Sequence, residues 1–172
     1  MIRNATVGDL AAITNIYNQA INARHCTADT VLVDQNSRLA WFNQHNHIKT
    51  PIFVYETQKG VVAYSYISLY RFGRKAFERV GEISYYIDFA HHGKGLGNMM
   101  IEHLIVEALK LDYAHLVAIL LDCNVKSVFL LEKYGFSCWG KMPDIAEIDG
   151  EVFSHLYYGL SLRGYPLLPQ TP

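Results

Sequence analysis

From Tyr85 to Gly97 the chain reads Tyr-Tyr-Ile-Asp-Phe-Ala-His-His-Gly-Lys-Gly-Leu-Gly, and an amphipathic stretch follows at once. An apolar, β-prone segment thus runs into a glycine-rich loop, and the loop opens a helix. Glycines let main-chain N–H groups converge without side chains in the way, and the helix N-terminus adds partial positive charge. Such an element is expected to bind a phosphorylated small molecule. It is not the GxxxxGK[ST] loop, which is absent. It is not the GxGxxG dinucleotide fingerprint either, because Gly93-Lys94-Gly95-Leu96-Gly97 is followed by Asn98, Met99 and Met100.

Composition narrows the class. A chain of 172 residues, 51% hydrophobic and 18% charged, suits one globular domain over 1–172 with a real core. A net charge of −1 gives no electrostatic argument for nucleic acid or an acidic membrane surface. No apolar run reaches membrane-span length, and Met1 to Thr6 lacks a signal-peptide core. Cys26, Cys123 and Cys138 are few and scattered, which suggests reduced thiols in a cytoplasmic protein. Neither the cysteines nor the histidines cluster with metal-ligand spacing, so no metal is expected. His45, His47, His91 and His92 are expected at the surface.

Periodicity predicts a helix over 6–21, capped by Thr6, and a second over 34–47 with Leu39, Trp41 and Phe42 inward. Strands are expected over 52–56, 61–69, 79–88, 116–121, 136–141 and 152–162, and helices over 98–111 and 125–133. Gly135 is placed to end the last helix in a left-handed conformation. Helices after the third and fourth strands imply an α/β fold. Its mixed sheet is expected to be antiparallel in its first half and parallel in its second, with helices flanking it.

Several segments resemble the GCN5-related N-acetyltransferases. His92-Gly93-Lys94-Gly95-Leu96-Gly97 resembles their [Q/R]-x-x-G-x-[G/A] loop. Asn124-Val125-Lys126-Ser127-Val128-Phe129-Leu130-Leu131-Glu132-Lys133-Tyr134-Gly135-Phe136 resembles N-x-x-S-x-x-L-[Y]-E-K-x-G-F. Residues 74–87 are similar to the R-x-A-Y-x-x-T-V-E-x-S-V-Y-V stretch of the phosphinothricin acetyltransferase branch, and residues 2–10 to its I-R-x-A-T-x-x-D-L start. The resemblance implies a mixed-sheet acyltransferase fold, acetyl-CoA as cosubstrate, and a primary amine of an amino acid or analogue as acceptor, acetylated directly in a ternary complex. The alternatives are a protein N-terminal or ribosomal-protein acetyltransferase, and a non-catalytic acyl-CoA-binding module.

Residue by residue, the resemblance assigns the pantetheine arm to main-chain groups of Tyr85, Tyr86 and Ile87. It assigns the pyrophosphate to His92, Gly93, Lys94, Gly95, Leu96, Gly97 and Asn98, and the remaining cofactor contacts to Asn124 and Ser127. Asn124 fits a helix N-cap equally well. Glu82 is the expected general base. It sits in an apolar strand, alternation puts it on one face with Ser84 and Tyr86, and an ammonium must lose a proton before attack. The competing reading pairs Glu82 with Arg79 or Arg74. Arg74, Phe77 and Glu82 are expected at the acceptor, with the Arg74 fork suited to a carboxylate. The acceptor site is expected between residues 23–33, the loop 71–77 and Glu82.

Three departures stand out: His92 replaces Gln or Arg, Leu131 replaces a tyrosine held to protonate the leaving thiolate, and His155 is displaced from the branch's W-H-D position. Tyr134 is expected to pack rather than take over that tyrosine's role. The resemblance and the aromatic C-terminal strand (Phe153, Tyr157, Tyr158) imply a homodimer, since an apolar edge needs cover.

Overall fold

The computed structural model describes residues 1–46 and 48–165; His47, the expected end of the second helix, lies outside them. A short strand β1 (Ile2–Asn4) leads through a 3-10 turn at Val7–Asp9 into α1 (Leu10–Asn22) and α2 (Gln35–Asn43). Two strands follow, β2 (Ile52–Thr57) and β3 (Gly60–Leu69), then β4 (Val80–Ile87) and α3 (Leu96–Lys110). The chain continues as β5 (His115–Leu121), α4 (Val125–Lys133), β6 (Ser137–Ile148) and β7 (Glu151–Ser161). Seven strands form one mixed sheet in the order β1-β2-β3-β4-β5-β7-β6.

The two faces carry separate cores. On one face α1 buries Ile13, Ile16, Tyr17 and Ile21 against Ile52, Val54 and Tyr64. On the other, Ile101, Leu104, Ile105 and Ala108 of α3 and Leu131 of α4 pack on Phe53, Ile67, Ile83 and Leu116. Neighbours such as Phe53 and Val54 thus point to opposite faces, as strand alternation requires.

Local chemistry sets the helix starts. Thr6 does not open α1 directly. Its N–H and hydroxyl donate to the Asp9 carboxylate at 2.8 and 3.0 Å, closing a 3-10 turn first. Arg3 grips the same carboxylate with two nitrogens at 2.8 and 2.9 Å and ties β1 to α1. Asp34 caps α2 by accepting from the Ser37 N–H at 2.7 Å. Asn124 caps α4, accepting from the Ser127 N–H at 3.3 Å.

Three expectations need correction. The second half of the sheet is not parallel: β4–β5 is the one parallel pairing recorded, while β7 runs antiparallel to both β5 and β6. A hairpin, not a crossover helix, joins β6 to β7, so the direction reverses. The aromatic strand β7 is not an edge, because β6 covers it, and Tyr158 is buried. The edge strand is β6, which exposes Trp139, Met142 and Ile145. On α2, Leu39 is exposed and Arg38 takes the buried position.

Candidate active site

The parallel pair β4–β5 does not hold along its length. Register partners run from Val80–His115 to Glu82–Val117 and stop, although β4 continues to Ile87 and β5 to Leu121. Beyond Glu82 the strands splay, and the main chain of β4 on that side is left without a partner strand. The opening is part of a cleft of about 750 Å³ whose walls include Tyr85, Tyr86, Ile87, Asn124, Ser127 and the glycine loop.

At the floor of this cleft the loop enters α3. Gly93 and Gly95 have φ of 74° and 79°, a region that disfavours side chains. A Cβ built on either meets no atom within 4 Å, so the space before the loop is open. The N–H groups of residues 93–98 find no main-chain acceptor among the described residues. Converging free donors at a helix N-terminus fit a pyrophosphate. Gly97 has a different reason to be glycine: a Cβ there would lie 2.7 Å from Leu130 Cδ2, so it permits close approach of α3 and α4.

The cleft contains most of the residues singled out for the cofactor: Tyr85, Tyr86, Ile87, His92, Gly93, Gly95, Leu96, Gly97, Asn98, Asn124 and Ser127. Lys94 turns back and donates to the Ala90 carbonyl at 3.0 Å. The imidazole of His92 lies 3.0 Å from the Ile87 carbonyl. His25, Cys26, His91 and Lys126 also line the cleft and were missed. Lys126 lies inside the Asn124–Phe136 segment; His25 and Cys26 arrive from the α1–α2 connection, expected at the acceptor but found lining the cleft. Burial raises the Cys26 thiol and pushes the Tyr85 phenol up to about 12.

The second part of the site lies on the sheet face under α1 and α2. Cross-strand register pairs Tyr64 with Tyr86, Tyr66 with Ser84, and Ser68 with Glu82, so all six side chains share that face. Glu82 occupies the apex of the splay, as the last residue of β4 paired to β5. It does not meet an arginine. Arg79 pairs with Asp112 at 2.6 Å, and no recorded ion pair among the described residues involves Glu82 or Arg74. Desolvation raises the Glu82 carboxyl above the ordinary range, with no partner charge opposing it.

His45 is not a surface histidine. It is half-buried, with ring centroids 4.7 Å from Trp41 and 5.4 Å from Tyr66. Its Nε2 lies 3.4 Å from the hydroxyl of Ser68, the cross-strand partner of Glu82. Burial lowers its pKa, so it favours the neutral form. Arg74 and Phe77 lie in an exposed segment, where Phe77 stacks edgewise on Tyr70 at 5.8 Å. Leu131 is in the core and Tyr134 packs as expected, its hydroxyl donating to Glu102 and lying 3.1 Å from Asn98 Oδ1. His155 sits on β7 opposite Leu121 and is not among the cleft residues.

This arrangement agrees with the comparisons. The model of the acetyltransferase (GNAT) family matches residues 10–136. The chain belongs to that family. It is an acetyl-CoA-dependent N-acetyltransferase, which sets aside the non-catalytic module. It is 38% identical, over 94% of its own length and 98% of the other's, to a Bacillus subtilis protein provisionally named as a phosphinothricin acetyltransferase. It is 33% identical, over 84% of each chain, to the L-methionine sulfoximine/L-methionine sulfone acetyltransferase of Salmonella typhimurium. A solved Salmonella typhimurium structure, described as holding its cofactor acetyl-CoA, superposes with a TM-score of 0.88. It is 30% identical and covers 100% of this chain and 96% of that one. Among the described residues no group of three His, Cys, Asp or Glu side chains is placed to hold a metal, and no helix is long and apolar enough to cross a membrane.

Proposed function

We propose that this protein transfers the acetyl group of acetyl-CoA to the primary amine of an amino acid or amino-acid analogue, directly and within a ternary complex. The observation that carries the reading is the splay at Glu82. It puts an unpaired, desolvated carboxylate at the junction of the cofactor cleft and the aromatic face under α1 and α2. The relatives' named acceptors support the substrate class.

In this reading the N–H groups of residues 93–98 hold the pyrophosphate, with His92 and Lys126 adding to the polar wall. Freed main-chain groups of Tyr85 and the N–H of Ile87 hold the pantetheine arm as an added strand would. Bound acetyl-CoA supplies an activated thioester. Glu82 takes the ammonium proton, directly or through water, and frees the amine lone pair. A carboxyl raised by desolvation is a stronger base than an exposed one, so its environment suits the task. No cysteine is called on as nucleophile, since the Cys26 thiol is raised rather than lowered. Residues 1–172 act as one catalytic domain, in a homodimer in the cytoplasm.

The deciding assay incubates the protein with acetyl-CoA and a panel of amino acids, following free thiol. Thiol release that depends on an amino acid, with the N-acetyl product found by mass spectrometry, is expected. Tight acetyl-CoA binding with no acceleration by any amine would refute the reading.

A further inference from the structure

The face under α1 and α2 buries a cation that no described residue pairs. Arg38, on α2, is 7% exposed. Its guanidinium carbon lies 3.9 Å from the Tyr17 ring centroid and 4.7 Å from that of Trp41. Ring contacts occupy the faces of the guanidinium plane, whereas its N–H bonds radiate from the edge. On that edge Nε and Nη2 are fully buried and have no acceptor among the described residues. Asp29 does not reach it: the Asp29 carboxylate accepts from the Tyr17 hydroxyl at 2.5 Å, and among the described residues no hydrogen bond or ion pair joins it to Arg38. A second orphan lies in the same box. The Tyr64 hydroxyl is buried without a partner among the described residues, on a ring 6.3 Å from Trp41.

Unpaired buried donors of this kind cost stability, and packing alone would be served by an apolar side chain. Their chemistry matches a carboxylate: two parallel N–H groups from a fixed fork, and a hydroxyl for a further lone pair. The rings hold the fork in place before anything binds. Trp41, Tyr66 and Tyr86 are half-buried, so the box is not sealed on that side. Tyr86 also lines the cofactor cleft, and Tyr66 stands across from Ser84, one step along the face from Glu82. The box therefore adjoins both the thioester path and the base. Arg74, the arginine expected from the sequence, is exposed, where a carboxylate would gain less from pairing.

We propose that Arg38, together with the Tyr64 hydroxyl, holds the carboxylate of the acceptor and so makes the enzyme select amino acids over amines that lack one. This rests on the amino-acid reading above. The test compares L-methionine sulfone with its α-carboxamide in wild type and Arg38→Met, alongside calorimetry of acetyl-CoA. In Arg38→Met, kcat/KM for the acid should fall roughly 10–100-fold, through KM, the range for losing hydrogen bonds to a charged group. The carboxamide rate and acetyl-CoA affinity should stay put. Equal losses on acid and carboxamide would overturn the inference and leave the amino-acid reading intact. A wild type that acetylates neither would sink both. Should Arg38→Met fail to fold, Tyr64→Phe decides. It removes an unpaired hydroxyl, so Tm should hold or rise while KM for the acid alone increases; an unchanged KM overturns the assignment.

Discussion

Replacing Glu82 by glutamine separates chemistry from structure, because the two readings of this residue predict opposite signs. The substitution keeps shape and removes basicity. No ion pair is lost, since none among the described residues involves Glu82. If Glu82 takes the ammonium proton, kcat should fall roughly 10²–10⁴-fold, the range for losing a positioned acid–base group. That is about 3–5 kcal/mol of barrier. The wild-type rate should rise with pH through an ionisation above the ordinary glutamate value, in the direction burial moves this carboxyl. The variant should lose that limb. Acetyl-CoA affinity should hold, because the cleft walls lie further along β4 and in the glycine loop.

Stability supplies the second sign. A carboxyl whose folded pKa is raised binds its proton more tightly when folded than when unfolded. Wild-type stability therefore declines as pH climbs from the ordinary carboxylate range through the raised value, and the penalty is complete above it. Glutamine carries no such penalty. Glu82→Gln should be at least as stable as wild type at neutral pH, with the advantage vanishing in acid. A glutamate held by an arginine would do the reverse. Melting curves at pH 4 and 8, beside pH–rate profiles, read both signs. A folded variant with wild-type kcat across the pH range would refute the base assignment.

Three further outcomes are expected. Gly95→Val should abolish acetyl-CoA binding measured by calorimetry, since the side chain projects into the open space before the loop and strains a residue at φ 79°; unchanged affinity would remove the pyrophosphate from this loop. Asp9→Asn should cost about 2 kcal/mol at pH 7, because the Arg3 contacts and the Thr6 donors hold this buried carboxyl at about 2, below its usual 3.8. That stability is present above the unfolded value and lost as pH falls towards 2, so the variant's deficit in urea melts should shrink over that window. Light scattering should give a dimer at micromolar concentration, with exposed Trp139, Met142 and Ile145 on the edge strand β6 motivating cover; a monomer would count against it.

What the sequence made legible follows the range of the interactions involved. The glycine loop was readable because its requirements are local: glycines with positive φ, then a helix start. The cap at Asn124 and the apolar faces of α1 and α3 are local too. Sheet direction was legible only in part: Asp149-Gly150, both at positive φ, is the local signal for the hairpin that joins β6 to β7, but nothing local says that β7 returns beside β5. Arg38 and Leu39 exchanged places for a similar reason. Polarity argued that arginine faces water, but Tyr17 from α1 and Trp41 supply two aromatic faces that only the fold assembles. His45 reads as an ordinary polar residue until Tyr66 and Ser68 arrive from β3. The aromatic box is the least legible part of the site because its walls come from four separate elements.

One strand explains why these parts belong together. β4 has three kinds of surface, and each is committed. Ile83 points into the core beneath α3 and fixes the strand. The even positions Glu82, Ser84 and Tyr86 face the box under α1 and α2. Past Glu82 the main-chain edge is released from β5 and opens on the cleft. A strand paired to its end with β5 would have no edge to offer, and a strand ending at Glu82 would carry neither Tyr86 nor the approach to the glycine loop. The consequence is a division of effects along a single segment. Substitutions at the even positions should alter acceptor kinetics while sparing acetyl-CoA affinity, except at Tyr86, which belongs to both walls. A Tyr86 variant should therefore change both. A Ser84→Ala variant that weakened acetyl-CoA binding as much as acceptor binding would show that the two surfaces are not separate.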